Sequence, residues 1–425
     1  MKFLIMLIIL VGCEVSEETS QFKKQDKASI IKYTEDPEDQ NNFGGSGAPI
    51  DWNLDSNVLL FQDNYEDSSF NKGGDVSKYG LYNPDTLMAF SDPNDGNKLK
   101  FLITEWSNAR VLIWNKVPES NNDYPDVVVG QSDFDSSGVN NGGISASTLN
   151  NLNSATVCST GELVVADRQN HRVLIYNKVP TTNGAAADIV IGQADFTSNS
   201  ANQGGTPAAN TVSGPQGVSC YDGKLFIVDS NNRRILVFNN LPSSNNASAD
   251  SVIGQDDFTT NTSGCSATKF NSPHSVSFYN GQMFLVDQMN HRILIYDNIP
   301  TGTTPASYVI GQDNFTSCGS NRGAGVSTPS QGSLYVPQSI SINKNGLLAI
   351  ADRRNNRVLF YTLPYEQGDV AAGIIGQDSY DSNAVATPGE NNFEWPIGLI
   401  FHGDKVWVID QQRHRLLTSD VPNDL

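Results

Sequence analysis

The groups best suited to chemistry in this chain come in a fixed pattern: a carboxylate, an asparagine three residues on, and an arginine two further. The set reads Asp167–Arg172, Asp229–Arg234, Asp287–Arg292 and Asp352–Arg357, with looser copies at Glu105–Arg110 and at Asp410–Arg415, where Arg413 replaces the asparagine. At this spacing a guanidinium can give its hydrogen-bonding fork to the carboxylate or to turn carbonyls, and Asn tolerates the left-handed backbone of a tight turn. A catalytic or binding site needs such a set once. Here it recurs six times, its arginines 62, 62, 58, 65 and 58 residues apart, so the spacing predicts a structural pin within a repeat.

A second signature, apolar-Gly-Gln-x-x-aromatic, ends at Phe134, Phe196, Phe258, Phe315 and Tyr380. Between the two lies a proline, at Pro118, Pro180, Pro242, Pro300 and Pro364. A period of about sixty residues made of short strands and turns points to a solenoid or a propeller. The ends of the repeat decide between them. The sixth copy has no Gly-Gln segment after Leu416–Thr418, yet an orphan copy, Leu59-Leu60-Phe61-Gln62-Asp63-Asn64-Tyr65, sits near the start and matches Val309–Phe315 closely. A ring needs this arrangement, because its first strand completes its last blade; a solenoid does not. We therefore expect an all-β, six-bladed β-propeller closed by an N-terminal strand.

Alternation and turn signals place four strands in each unit. In the third, Gly217–Tyr221 forms the inner strand after Pro215, Asp222-Gly223 the hairpin turn, Lys224–Val228 and Ile235–Phe238 the middle strands, and Ser251–Gln255 the outer one.

The repeat resembles the NHL family of propellers. The resemblance is carried by Asp167-Arg168-Gln169-Asn170-His171-Arg172-Val173, by Asp287-Gln288-Met289-Asn290-His291-Arg292-Ile293, and by the opening of each inner strand, as in Pro215-Gln216-Gly217-Val218. It covers roughly residues 57–418. Family members are diverse in function, including RNA binding, protein scaffolding, sensing and one amidating lyase, so function has to be argued from sites.

The resemblance implies that a lyase would hold zinc through histidines placed after the proline that opens each inner strand. That position reads Asp85, Gln216, His274, Gln338 and Ile397, with Ser154 where Asn153 replaces the proline, so a three-histidine site is missing. His171, His291 and His414 share a different motif position, filled elsewhere by Ala109, Arg233 and Asn356, as an exposed turn would allow. With strands about 4.8 Å apart, those turns sit on the order of 10 Å from the axis and roughly 17 Å from one another, too far to share a metal. His402 ends an inner strand and reads as structural. No Gly-x-Ser-x-Gly elbow occurs. Asp85, Asn153 and Gln216 could offer oxygens to calcium in the channel, as in lactonase-like propellers, but calcium asks for more carboxylate than this.

The remaining candidate surface is the set of loops from outer to next inner strand, Asp135–Leu152, Thr197–Ser213, Thr259–Ser272, Thr316–Val336 and Asp381–Trp395, rich in Ser, Asn, Gly and Thr. His274, Tyr335, Gln338 and Trp395 break the repeat near the inner-strand starts and are the candidate ligand-binding residues, the two aromatics as stacking groups. Cys158 and Cys220 hold equivalent inner-strand places and read as small buried apolar residues. Cys265 and Cys318 lie in neighbouring loops, where oxidising conditions allow a disulfide.

The chain starts with a short basic segment, an apolar stretch over Phe3–Val11 and Leu10-Val11-Gly12-Cys13, which looks like a bacterial lipobox. We expect residues 1–12 to be a lipoprotein signal peptide, Cys13 to carry lipid, residues 13–50 to form a polar flexible tether, and residues 51–425 the propeller. A formal charge of −19 opposes nucleic-acid partners. The sequence thus predicts a monomeric, envelope-located binding or scaffolding module for a protein, peptide or glycan. The alternative is a calcium- or zinc-dependent lyase or lactone hydrolase at the central channel.

Overall fold

The computed structural model describes residues 59–402, 405–422 and 425. The expected signal peptide, Cys13, the tether and residues 51–58 lie outside the described residues.

Six antiparallel four-stranded sheets follow one another along the chain. From inner to outer strand, blade one is Pro84–Asp92, Lys98–Glu105, Arg110–Trp114 and Val127–Val129; blade two is Ala155–Val157, Leu163–Asp167, Arg172–Tyr176 and Ile189–Ile191. Blade three is Pro215–Tyr221, Lys224–Asp229, Arg234–Phe238 and Ser251–Ile253; blade four is Pro273–Tyr279, Gln282–Asp287, Arg292–Tyr296 and Tyr308–Ile310. Blade five is Ile340–Ile342, Leu348–Asp352, Arg357–Tyr361 and Gly373–Ile375. Blade six takes Pro396–His402, Lys405–Asp410 and Arg415–Asp420 from the end of the chain and Leu59–Leu60 from its start, paired Leu59 to Leu417 and Leu60 to Leu416. Inner strands touch in cyclic order, the sixth against the first, so the ring closes.

The strands form where alternation predicts them. Asp222 and Gly223 both take positive φ, 50° and 70°, the mirror-image turn that suits a two-residue hairpin. The outer strand of blade three stops at Ile253 because Gly254 turns at φ 89°, and Gln255 leaves the ladder to donate its side-chain amide to the carbonyls of Arg233 and Thr262. Six apolar clusters hold the ring, each filled from two adjacent blades. Met88 and Leu102 meet Leu163 and Leu174 between blades one and two, and Phe101, Trp114, Ile397 and Trp407 close the junction of six with one.

The repeated acid and arginine are buried pins. Arg172, Arg234, Arg292, Arg357 and Arg415 donate from Nε to the acid of their own repeat at 2.7–2.9 Å, and Arg110 does the same to Glu105. Each Nη1 donates to the carbonyl of the aromatic ending the second signature: Phe134, Phe196, Phe258, Phe315, Tyr380 and, in blade six, Tyr65. The guanidinium therefore ties the two signatures together, and in the last blade it ties in the N-terminal strand. The other acid oxygen accepts a backbone N–H from the loop leading into the inner strand, as Asp229 does from Ser213 at 2.7 Å.

Three expectations need correction. The motif asparagine is not the left-handed residue; Asn170, Asn232, Asn290 and Asn355 sit in 3-10 turns and donate to the acid, while the next residue takes positive φ. Second, that next position is no free, exposed turn. His171 accepts the N–H of Gly214 on Nδ1, His291 that of Val336, and His414 that of Asn83, each at the start of the following blade's inner strand. Asn356 does the same for Trp395 with Oδ1. These are blade-to-blade latches, made possible because a ring acceptor and an amide acceptor reach alike. Third, Cys158 and Cys220 are joined as a disulfide between blades two and three, with Cα atoms 5.3 Å apart, rather than standing as separate apolar residues. Equivalent places on adjacent inner strands put the two sulfurs side by side. Cys265 and Cys318 form a second disulfide, between loops.

Candidate functional site

The start of each inner strand and the turn after each motif acid emerge on one face of the ring, around its axis. They enclose a cavity of about 330 Å3 lined by Asp85, Asn153, Gln216, His274 and Gln338 from the strand starts, and by Trp106, Arg168, Gln288, Arg353 and Gln411 from the turns. Ile397 completes the strand-start ring as an apolar member just below.

Register shows which residue belongs at each place. Asn153 donates its N–H to the carbonyl of Ala166, and Gln338 does the same to Ala351 in blade five, so Asn153 is the equivalent of Gln338. Leu152, not Asn153, stands where the other blades have proline, and the residue expected there, Ser154, is one place too far along. A strand start without its proline leaves no mark in the sequence to align on.

The strand-start ring is buried and only partly satisfied. The Asn153 amide donates to Asp85 Oδ2 at 3.0 Å. Asn153 Oδ1, His274 Nδ1 and Gln338 Oε1 have no partner among the described residues, though these residues are only 3%, 6% and 4% exposed. Burial pushes the Asp85 carboxyl up to about 7, against the opposing pull of Arg353, Asn153 and Arg168. Burial also holds His274 down at about 3, helped by the positive charge of Arg168 and Arg353, so its imidazole is neutral. Above it, Arg168 lies 4.9 Å from the Trp106 ring centre, and Arg353 lies 4.2 Å from that of Trp395. Burial lowers both guanidiniums, Arg353 to about 10, which leaves them charged at neutral pH.

Of the four residues singled out from sequence, His274, Gln338 and Trp395 come together on this cavity. Tyr335 does not line it; half-buried, it packs its ring edge-on against the His291 latch at 5.4 Å. Trp395 is half-buried as well, and with Arg354 4.1 Å from its ring in addition to Arg353 its indole serves the two arginines first. Sequence reading missed Arg168, Arg353 and Trp106. Their signal was present: the position directly after the acid reads Trp106, Arg168, Ser230, Gln288, Arg353 and Gln411 inside an otherwise constant motif.

Asp85, Asn153 and Gln216, the oxygen donors considered for calcium, do share the cavity. Among the described residues Asp85 is the one carboxylate lining it; it is already hydrogen-bonded, and it faces two guanidiniums. A hard divalent cation seeks the reverse balance.

The NHL repeat family matches residues 149–176, from the loop before blade two to the end of its third strand. With six such blades in register, the chain is an NHL-repeat β-propeller. No curated protein matches this NHL propeller in sequence. Solved structures similar to it include an auxiliary nutrient binding protein from Bacteroides thetaiotaomicron, 14% identical, covering 81% of this chain and 69% of that one, with a TM-score of 0.44. Virginiamycin B lyase from Staphylococcus aureus is 11% identical, covering 82% and 98%, with a TM-score of 0.39. The WD40 β-propeller domain of Doa1 is 9% identical, covering 84% and 97%, with a TM-score of 0.45. At the places where the resemblance implies zinc ligands for a lyase, this NHL propeller has Asp85, Asn153, Gln216, His274, Gln338 and Ile397.

Proposed function

We propose that this propeller is a lipid-anchored module of the bacterial cell envelope that binds a polar ligand, a glycan or a segment of a peptide or protein, in its axial cavity. The observation that carries the reading is the contrast around one ring. The pins repeat in every blade, while the residues lining the cavity differ from blade to blade and leave buried polar atoms without partners. A unique ligand requires unique groups, and unsatisfied buried polar atoms are costly unless something outside the chain uses them. Export and anchoring rest on Phe3–Val11 and the lipobox at Cys13.

The test uses the full chain carrying Cys13→Ser, screened against glycan and peptide arrays and then against His274→Ala and Gln338→Ala in the same background. We expect hits whose binding falls with either substitution while the melting temperature holds. Hits indifferent to both would remove the cavity from consideration. In cells, Cys13→Ser should leave the membrane fraction, and its retention there would count against the anchor.

A further inference from the structure

Arg168 and Arg353 occupy the same motif position in blades two and five. Three blades apart in a ring of six, they face each other across the axis. In the other blades this position is neutral: Trp106, Ser230, Gln288 and Gln411. The chain carries a formal charge of −19, yet the mouth of its axial cavity is flanked by two cations.

These arginines differ from the six pins. Each pin spends its guanidinium on an adjacent acid and on backbone carbonyls. Neither Arg168 nor Arg353 has a carboxylate within ion-pair distance among the described residues, and Arg353 Nε is buried without a partner. One bond, from Arg353 Nη2 to Gln411 Oε1 at 3.3 Å, steadies the second of them. Both guanidiniums lie against indoles, Trp106 and Trp395, at 4.9 and 4.2 Å. Packing on an aromatic ring limits the orientations of a guanidinium while leaving N–H groups at its edge free to donate. Two braced, charged forks facing one opening suit an oxyanion.

Below the mouth the chemistry changes. Two unpartnered atoms there, Asn153 Oδ1 and Gln338 Oε1, are acceptors and call for donors on the ligand, while His274 Nδ1 gives or accepts according to the tautomer of its neutral ring. Gln216, Gln288, Gln411 and Gln412 add amides that both give and accept. The wall offers little apolar surface for a hydrophobic side chain. Hydroxyl groups, each a donor and an acceptor, fit it. A volume of about 330 Å3 lies at the small end of ligand pockets, which limits the guest to one or two rings or to the end of a longer chain.

We propose that the axial cavity recognises an acidic sugar, a uronate residue whose carboxylate is held by Arg168 and Arg353 and whose hydroxyls are read by Asn153, His274 and Gln338. Trp106 and Trp395 are positioning residues that hold the two guanidiniums in place. This rests on the reading of the cavity as the ligand site and adds to it the class of ligand.

Sodium galacturonate and sodium glucuronate, with galactose and glucose as their neutral counterparts, are the probes, titrated calorimetrically into the full-length Cys13→Ser protein. At least one uronate should bind, about tenfold or more tightly than its neutral parent. Arg168→Gln and Arg353→Gln should each remove most of that preference without lowering the melting temperature. Trp106→Leu should lower the uronate-to-neutral ratio, which a purely structural role would leave alone. Binding by neither uronate, equal binding of acid and neutral sugars, or full uronate affinity in both arginine variants would overturn the proposal. The two readings fail separately. A neutral glycan or peptide whose binding depends on His274 and Gln338, with no uronate binding, sinks the acidic-sugar assignment and leaves the binding module standing. Uronate binding that depends on the arginines but ignores His274 and Gln338 removes the hydroxyl-reading part.

Discussion

Each motif acid and the residue immediately after it are neighbours in the chain but obey opposite rules around the ring. Asp167, Asp229, Asp287, Asp352 and Asp410, with Glu105, all point into the sheet, each bound to the arginine five residues on. One residue later the chain has Trp106, Arg168, Ser230, Gln288, Arg353 or Gln411, and all but Ser230, which donates to the Pro273 carbonyl, line the axial cavity. The first position answers to a demand that every blade makes alike, satisfaction of a buried turn. The second answers to a place where six blades meet and no two need do the same thing. Constancy in a repeat marks what the fold requires, and departure from it marks where something else can be recognised.

The comparison can be broken most forcefully on the constant side. Deleting residues 59–66 takes away both the closing strand and the Tyr65 carbonyl that Arg415 uses, and leaves the Leu416–Leu417 edge bare. Aggregation in size-exclusion chromatography, or a collapse in melting temperature, is expected; a truncated protein that melts like its parent would mean closure contributes little. Next comes Asp229→Ala, which strands the fully buried Arg234. It should cost about 3–5 kcal/mol by chemical denaturation. Where the variant is still folded it should bind ligand as the parent does, since the pin does not touch the cavity; a selective loss of binding would blur the two classes of position. Replacing Cys265 and Cys318 together with Ser removes a cross-link spanning 53 residues and should cost about 2–4 kcal/mol, again with binding unchanged.

The smallest expected effect concerns the latches. His291 accepts from Val336 on Nδ1, so it must be neutral there, and burial holds it down at about 4, as it does His414. A histidine lowered in the folded state contributes stability fully above its unfolded value of about 6.5, and that contribution is lost as pH falls toward 4. Asp85, raised to about 7, works in the opposite direction over the same range, because the folded state takes up its proton first. His291→Ala should cost about 1 kcal/mol at pH 7. His291→Asn copies what Asn356 already does in blade five, and should keep most of the stability at pH 7 while flattening the loss between pH 6.5 and 4. Equal acid sensitivity in His291→Asn and the parent would take the latch out of the pH response.

The sequence carried the architecture well because each blade repeats the same local instructions. The acid–arginine spacing, the Asp222-Gly223 turn and the orphan Leu59–Tyr65 segment each state a local geometry, and six copies correct one another's ambiguity. Legibility failed where a residue's role depends on the neighbouring blade. The latch histidines resemble turn decoration until the next strand is placed beside them. Cys158 and Cys220 look like isolated core residues until adjacent inner strands are aligned. Asn153 was misplaced by one residue because Leu152 hides the missing proline. At the cavity, His274 and Gln338 could be picked out as departures from the repeat, but Arg168 and Arg353 lay inside the strongest motif, where regularity on either side concealed them.

The closing strand sets an order of events for making the protein. Gln62 donates to the carbonyl of Arg413, 351 residues further along, so the closing strand is synthesised well before its partner and is among the last to find its place. Until blade six exists, the chain is an open arc of blades with two apolar sides uncovered, the face of blade one that awaits Trp407 and the face of blade five that awaits Val408. Contacts this distant in sequence form slowly. A chain halted before residue 405 cannot shut the arc at all, and its two uncovered sides are complementary surfaces on which a second unfinished chain could build.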